Sequence, residues 1–473
     1  MEELLALLAS DPKKAIAQIK LKSKDNAKIV EYRKEFKDFD RTIRETQVGK
    51  IQKDKNIGVG EKFKSIKAVR IPINFAKKIV NTATAFEVGK PVNFIPSQES
   101  ELSKLIDLIW KTNRLDAAIQ KLVSLCKTET QSALNFYIYN IKVDGIFNKI
   151  LSSLGLTASK EIKVKVLDNT SGTMTPYFDA NGNMQLFMWE YQTIDRAEKS
   201  INNVQIWDEK SSLIYNDASG SMIQISKIPH GFDRIPIVYT SQDEPEWFDV
   251  KDLIDRFEVA ISKGGGANDR TAHPILMTVG EIASLPDKDD DGKVINFPMK
   301  KDDEGKYVNG TASFIESSGG NESHKNELEL VYKLIFAISQ TPDLSFDNLK
   351  GLGNVSGVAL KLMFLDAIIK ATMNEGTNRT MIERILNIII SGIVTTTNTG
   401  MKTQAASLYY DIIFNSILPD DLASASAVII DLKDAGLISS STAIKMLDIV
   451  DNPIEELALV KAEKATEVIP KTL

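Results

Sequence analysis

Residues 341–394 read TPDLSFDNLKGLGNVSG (Thr341–Gly357) followed by VALKLMFLDAIIKATMNEGTNRTMIERILNIIISGIV (Val358–Val394). The first part is a polar loop punctuated by Gly351, Gly353 and Gly357, which disfavour both helix and strand. The second part lacks proline and repeats Leu, Ile, Met and Ala at three- and four-residue spacing, so it predicts one long helix. Between Val358 and Ile369 apolar residues cover nearly the whole circumference, interrupted by Lys361 and Asp366. Such a helix is buried on several sides, within one subunit or between subunits. Gly376, with Asn374 and Thr377 beside it, predicts a kink near the middle. The stretch holds no catalytic set; a long loop at the head of an overlong helix is a part that presents the loop to something.

Upstream, Asp249–Ser262 predicts a helix with Val250, Leu253, Ile254, Phe257 and Ile261 on one stripe, ending or bending at Gly264-Gly265-Gly266. His273–Ser318 is a β and turn insert, and Asn321–Gln340 is helical again. A β tip between two helices is a hairpin arm. Further toward the N-terminus, Met1–Glu45 predicts a solvated helical pair, and Ile71–Val88, Glu101–Trp110 and Leu115–Gln131 predict helices. Leu134–Val143 predicts a strand, and Ile162–Ile228 a meander of short strands with turn signals such as Asn181-Gly182. Downstream, YYDIIFN reads as a strand, and from Asp420 the chain is helical in short pieces. The last piece is capped by Asn452 with Pro453 at its first position and Glu455 closing a capping box. The fold class is α+β, mainly helical.

At 473 residues with 43% hydrophobic content, the chain is long enough for two to four folded domains. Its single cysteine, Cys126, excludes an intramolecular disulfide framework and a thiol-built zinc site. The N-terminal residues match neither a signal nor a transit peptide. Ile385–Val394 is about half the length of a membrane span, which predicts buried helix and no membrane partner. A net charge of -6 argues against tight nonspecific nucleic-acid binding, yet it suits an acidic wall past which a polyanion slides without being gripped.

Motif by motif, chemistry recedes. Asp287, Asp289 and Asp291 occupy the first, third and fifth positions of a calcium loop, with Gly292 sixth. The twelfth position, which requires a bidentate glutamate, is Pro298, and strands flank the loop. A solvated hairpin turn is the simpler reading, because Asp-Gly is a turn dipeptide; a metal-dependent hydrolase or calcium-binding module on these three residues is the alternative from another class. GLGNVSG misses the third glycine of a dinucleotide fingerprint and follows no buried strand. Gly49-Lys50 and Gly89-Lys90 lack the rest of a phosphate-binding loop. His230, His273 and His324 are scattered. Neither a cofactor nor an enzyme is implied.

Several stretches together resemble the portal proteins of tailed bacteriophages, of the long-tailed (siphophage) type. They are NFAKKIVNTATAFEVGKPVNF (Asn74–Phe94), PHGFDRIPIVYTSQDE (Pro229–Glu244), DVKDLIDRFEVAIS, HPILMTVG, PDLSFDNLKGLGNVSGVALKLMF and LISSSTAIKMLDIVDNPIEEL. Each is short, but their order and spacing match the family over most of the chain.

The resemblance implies a portal fold: a wing at 1–248, a first stem helix at 249–270, a clip at 271–318 and a second stem helix at 319–341. A tunnel loop follows at 342–357, then the long kinked helix and its return to the wing at 358–419, and a crown at 420–473. It implies a dodecameric ring at one capsid vertex, assembled in the host cytoplasm and carried in the virion. The ring would be a conduit for double-stranded DNA and a docking platform for the terminase large subunit and head-to-tail adaptor, in contact with capsid and scaffolding proteins. In the tunnel loop, Asn348, Lys350 and Asn354 would face DNA, with Gly351, Gly353 and Gly357 allowing movement. On the second stem helix, Lys325, Glu329 and Lys333 are candidate channel-lining residues. Another virion connector or minor head protein is the near alternative, against which length and the helix–tip–helix order count. Replacing Asp287, Asp289 and Asp291 together by Asn is expected to leave ring assembly intact by electron microscopy; a hydrolase built on them would instead lose its activity.

Overall fold

The computed structural model describes residues 2–37, 41–44, 54–57, 64–140, 160–196, 198–271, 276–279, 297–298, 300–301, 303–308, 310–314, 321–343, 362–415, 417, 422–447 and 453–467. Helices α1 (Glu2–Ser10), α2 (Pro12–Lys20) and α3 (Asn26–Phe36) precede a short hairpin, β1 (Lys55–Ile57) and β2 (Lys64–Ile66). Then come α4 (Phe75–Val88), β3 (Asn93–Pro96), α5 (Glu101–Thr112), α6 (Leu115–Glu129) and β4 (Gln131–Asn140). The β region comprises β5 (Lys160–Leu167), β6 (Thr173–Phe178), β7 (Met184–Ile194), β8 (Ser200–Trp207), β9 (Ser211–Asn216), β10 (Ile223–Pro229) and β11 (Ile237–Ser241).

Leu186-Phe187-Met188-Trp189 is apolar at every position because β7 is covered on both faces. The antiparallel sheet β10-β9-β8-β7-β6 turns Leu186, Met188, Val204, Ile206 and Tyr215 toward Leu8, Ile16 and Ile19 of α1 and α2. Its other face packs Phe187, Trp189 and Trp207 against Ala133, Leu167 and Ile237 of a second sheet, β11-β4-β5. The N-terminal helices are therefore a packed lid on the sheet, not the solvated pair expected. Pro176, which donates no ladder bond, falls on the edge strand β6.

Helix α4 begins at Phe75 instead of Ile71, because Asn74 caps it by accepting from the Lys77 amide at 3.0 Å. The preceding residues stay extended, and their amides are used elsewhere: Ile71 donates to Ser262 Oγ (2.9 Å) and Ile73 to Glu258 Oε1 (2.7 Å). Both acceptors sit on α7 (Lys251–Thr271), which runs unbroken through the triple glycine where an end or bend was expected. The reason is close packing: a Cβ on Gly264 would lie 2.6 Å from His324 Nε2 on α8 (Asn321–Ile338). Between α7 and α8, β12 (Leu276–Val279) pairs antiparallel with β15 (Thr311–Phe314), and β13 (Lys300–Lys301) with β14 (Tyr307–Val308). This is the β tip expected on a helical hairpin. The hairpin closes on α4 through Phe75, whose ring lies 5.3 Å from Phe257 and 5.8 Å from Phe336.

The long helix α9 (Leu365–Gly392) is continuous through Gly376, and α geometry gives way at its C-terminal end, in the π turn Ile393–Thr397. Its second half is core: Ile382, Ile385, Leu386 and Ile389 pack with Ile106, Leu122 and Phe136. After α10 (Lys402–Ser407), β16 (Tyr410–Ile413) pairs antiparallel with β3, so the expected strand at YYDIIFN returns the chain to its N-terminal part. Helices α11 (Leu422–Asp434), α12 (Ser440–Leu447) and α13 (Pro453–Glu467) follow; the expected cap Asn452 lies outside the described residues. Among the described residues no helix is long and apolar enough to cross a membrane.

Gly392 separates α9 from its core neighbours: a Cβ there would lie 2.6 Å from the Phe232 ring and 2.8 Å from Ile162 Cδ1. Gly392→Ala is expected to lower stability by about 1–3 kcal/mol through overpacking. Gly376→Ala, with open space around the position, is expected to raise it by up to about 1 kcal/mol. Thermal denaturation of the two variants checks both signs.

Candidate functional site

The predicted loop lies between α8 and Leu362, and the described residues show how its two ends are held. Asn348, Lys350, Gly351, Gly353, Asn354 and Gly357 lie outside the described residues, as do Asp287, Asp289 and Asp291. What the structure shows is the frame beneath the loop.

Helix α8 ends in a paired cap. The Thr341 amide reaches back to the Phe336 carbonyl (3.0 Å) and the Gln340 amide to Ala337 (3.2 Å), with Gln340 left-handed at φ 53°. Glycine usually fills this position, because a side chain costs about 1–2 kcal/mol there. The exit is secured further by Tyr332 Oη, which donates to Asp343 Oδ1 at 3.1 Å, and by Ser339 Oγ, which donates to Thr341 Oγ1 at 3.0 Å. At the returning end, the Phe364 ring stacks 5.8 Å from Phe86 of α4.

One side chain joins the two ends. Lys370, in the second turn of α9, donates to the Ser339 carbonyl at 2.9 Å and lies 2.5 Å from Glu246 Oε1. Glu246 immediately precedes Trp247, a fully buried ring at the foot of α7 whose Nε1 donates to Glu35 Oε2 at 2.9 Å. A single ammonium thus ties the entrance of the α7–α8 hairpin, its exit and the long helix together.

The network continues inward. Lys127 of α6 lies 3.0 Å from Glu246 Oε2 and 2.8 Å from Glu87 Oε1. Asn374 and Asn378 donate to the two oxygens of Glu87 at 2.6 and 3.0 Å. Two carboxylates and two ammoniums balance, and every one of the four charged groups is paired, as burial requires. Burial opposes the charge on Glu246, but Lys127 and Lys370 outweigh it and hold the carboxyl below its ordinary value. Burial likewise opposes the charge on Lys127, yet Glu246 and Glu87 hold that ammonium above its ordinary value. Both groups stay ionised across the neutral range.

The remaining predicted residues lie on the hairpin's open side. Lys325, Glu329 and Lys333 fall on one exposed face of α8, and Lys325 Nζ is 3.9 Å from Glu329 Oε1. An exposed i,i+4 pair contributes about 0.3–0.5 kcal/mol, so it holds nothing together. Trp247, by contrast, is buried and anchors the helix entrance. No group of three or more potential metal ligands occurs among the described residues. The buried network was not anticipated from the sequence. One signal was present: Lys370, Asn374 and Asn378 are polar residues four apart in an otherwise apolar helix, which puts them on one face.

Lys370→Met, which leaves two buried carboxylates to the single ammonium of Lys127 and removes the donor to the Ser339 carbonyl, is expected to cost about 3–5 kcal/mol. Because the Glu246 pKa is lowered on folding, the stability it contributes is present above the ordinary value of 4.5 and is lost as pH falls through the lowered one. Because the Lys127 pKa is raised, its contribution holds up to the ordinary 10.5 and is lost only as pH rises through the raised value. Denaturant unfolding between pH 3 and 7 is expected to show a steeper acid loss for the parent chain than for Glu246→Gln.

A family model described as phage portal protein, SPP1 Gp6-like, matches residues 25–469. Among solved structures, the chain is similar to one from the neck of a native GTA particle computed with C12 symmetry, at 12% identity and a TM-score of 0.38, covering 80% of this chain and 92% of that one. It is also similar to a chain from the neck of an empty GTA particle computed with C6 symmetry, at 11% identity and a TM-score of 0.37, covering 80% and 91%. A third similarity is to the virion of a native gene transfer agent particle, at 11% identity and a TM-score of 0.34, covering 80% and 89%. No curated protein matches. With the family model spanning nearly the whole length, the chain belongs to the phage portal protein family, SPP1 Gp6-like, and its function is that of a portal.

Proposed function

We propose that the chain assembles into a dodecameric ring at one capsid vertex and serves as the conduit through which double-stranded DNA enters during packaging and leaves on ejection. In this reading α7 and α8 are the stem that lines the channel. The 271–318 insert is the clip that docks the terminase large subunit and later the head-to-tail adaptor. The 342–357 segment is the tunnel loop, with Asn348, Lys350 and Asn354 toward the DNA and the glycines 351, 353 and 357 as its joints. Residues 1–248 together with β16 form the wing, and α11–α13 the crown, in contact with capsid and scaffolding proteins. Assembly would occur in the host cytoplasm and the ring would reside in the virion. The packaging motor's nucleotide hydrolysis belongs to a different polypeptide.

The observation that carries the ring is an unburied apolar stripe. Sequence reasoning expected the start of the long helix to be buried on several sides. In the single chain Leu362 is 64% exposed and Met373 78%, with Leu365 and Ile369 on the same stripe. Leu330, Leu334 and Ile338, four apart on α8, are exposed as well. Monomeric proteins rarely leave aligned apolar rows on two helices to water. Covering each side chain with a neighbouring subunit contributes up to about 1.5–3 kcal/mol. Gly376 and Thr380 continue the α9 stripe with small residues, which permits close approach of a neighbour.

The test is electron microscopy of the purified protein beside the double variant Ile369→Asp, Met373→Asp. The parent is expected to give annular particles with a central hole, and the variant folded monomers with an unchanged far-ultraviolet spectrum. A parent that stays monomeric at micromolar concentration, or a variant that still closes rings, would overturn the assignment of this face.

A further inference from the structure

A cleft of about 520 Å³ opens between the β6–β7 turn, the start of β11 and the long helix, where it reaches Thr380 at the end of the apolar stripe; its arginines have no part in the function proposed above. Its inner wall carries Arg384 of α9. The Nε of this residue donates to the Ile237 carbonyl at 2.9 Å, which fixes the guanidinium plane. Arg384 is partly buried, flanked along the helix by the core residues Ile385 and Leu386. Among the described residues no carboxylate lies within ion-pair distance of it. Burial first, and then the like charge of Arg234 across the cleft, work against its protonated form. Arg234 is about half exposed and, among the described residues, is paired only with its neighbour Asp233, at 2.9 Å.

Two guanidiniums directed at one space, the deeper of them without a counter-ion, form an arrangement that an anion completes: the fork geometry of arginine matches a planar carboxylate, and desolvation strengthens the pair. The rest of the lining selects the anion. Tyr239 and Phe178, with ring centroids 6.3 Å apart, supply an aromatic wall beside Met184. Gln185 and Asn183 are already engaged by Asp179, at 2.9 and 3.2 Å. Glu209 and Asp233 also line the cleft, and their charge disfavours a multiply charged anion such as phosphate more than a singly charged carboxylate.

We propose that this cleft is a docking site for a peptide segment of a partner protein that presents an acidic side chain to Arg384 and Arg234 and an adjacent apolar side chain to Tyr239 and Phe178. The pairing of a charged anchor with an aromatic platform is that of a specific peptide pocket, whose affinity concentrates in a few fully desolvated contacts.

Calorimetric titration of the full-length protein tests this with three probes: acetyl-Leu-Glu-Phe-amide, acetyl-Leu-Gln-Phe-amide and inorganic phosphate. The glutamate peptide is expected to bind at least about tenfold more tightly than the glutamine peptide, which corresponds to one charge-assisted hydrogen-bonded contact. Arg384→Met and Arg234→Gln are each expected to weaken the glutamate peptide by about tenfold or more. Arg234→Gln carries the test if Arg384→Met fails to fold, since Arg234 is half exposed and its one ion pair is local. Absence of peptide binding, equal binding of the two peptides, or unchanged binding in Arg234→Gln would overturn the proposal. Phosphate binding as tightly as the glutamate peptide would overturn it too, because the cleft would then be a general anion site. Each result is read without reference to whether rings form.

Discussion

A single ammonium, that of Lys370, holds the exit of one helical hairpin, the carboxylate at its entrance and the long helix in one register. Its two partners are 93 residues apart in sequence, Glu246 before α7 and Ser339 after α8, and it sits on the helix that receives the chain after the intervening loop. Such a network adds little net stability over a well-packed apolar core of the same shape, since desolvating four charges consumes most of what their attraction supplies. What it provides is uniqueness: sliding α9 by one turn along the hairpin would leave Glu246 and Glu87, two buried carboxylates, with the single ammonium of Lys127 between them. For the loop proposed above to face a channel, fixed ends would matter more than a fixed middle. The left-handed Gln340, held by the 3.0 Å bond from Thr341 to Phe336, serves the same end by turning the chain sharply off the helix.

Much of this architecture was readable in the sequence, for reasons that can be named. The long helix announced itself by period and by the absence of proline. The β tip on a helical hairpin was visible as strand-like runs between two amphipathic helices, and YYDIIFN as an alternating strand. Errors arose where tertiary contacts overrode local preference. Gly264-Gly265-Gly266 should have ended α7, but the same lack of side chains lets His324 pack against it, and the helix persists. Ile71 to Ile73 looked helical and is extended because Ser262 and Glu258 take its amides. The N-terminal helices looked solvated because their apolar residues are few, yet Leu8, Ile16 and Ile19 cover one face of the five-stranded sheet. The buried ionic cluster was hidden because its members come from four separate parts of the chain, and only the Lys370, Asn374, Asn378 spacing was local.

The contrast between the two halves of the long helix links fold to function. Its C-terminal half is buried by its own chain through Ile382, Ile385 and Ile389, and its N-terminal half offers Leu362, Leu365, Ile369 and Met373 to solvent. In the proposed ring, a helix with one half in its own core and the other against a neighbour would couple subunits through a rigid element. Lys370 sits in that exposed half, facing inward, so the register lock and the apolar stripe share the same three turns on opposite faces.

The most direct measurement is native-state hydrogen exchange along the hairpin exit and the long helix, because a shared lock makes separate elements open together. Amides of residues 335–341 and 367–378 are expected to exchange with one common opening free energy, and to lose protection together in Lys370→Met. Independent opening of the two segments in the parent protein, with residues 367–378 exchanging while 335–341 remain protected, would contradict the role assigned to the ammonium.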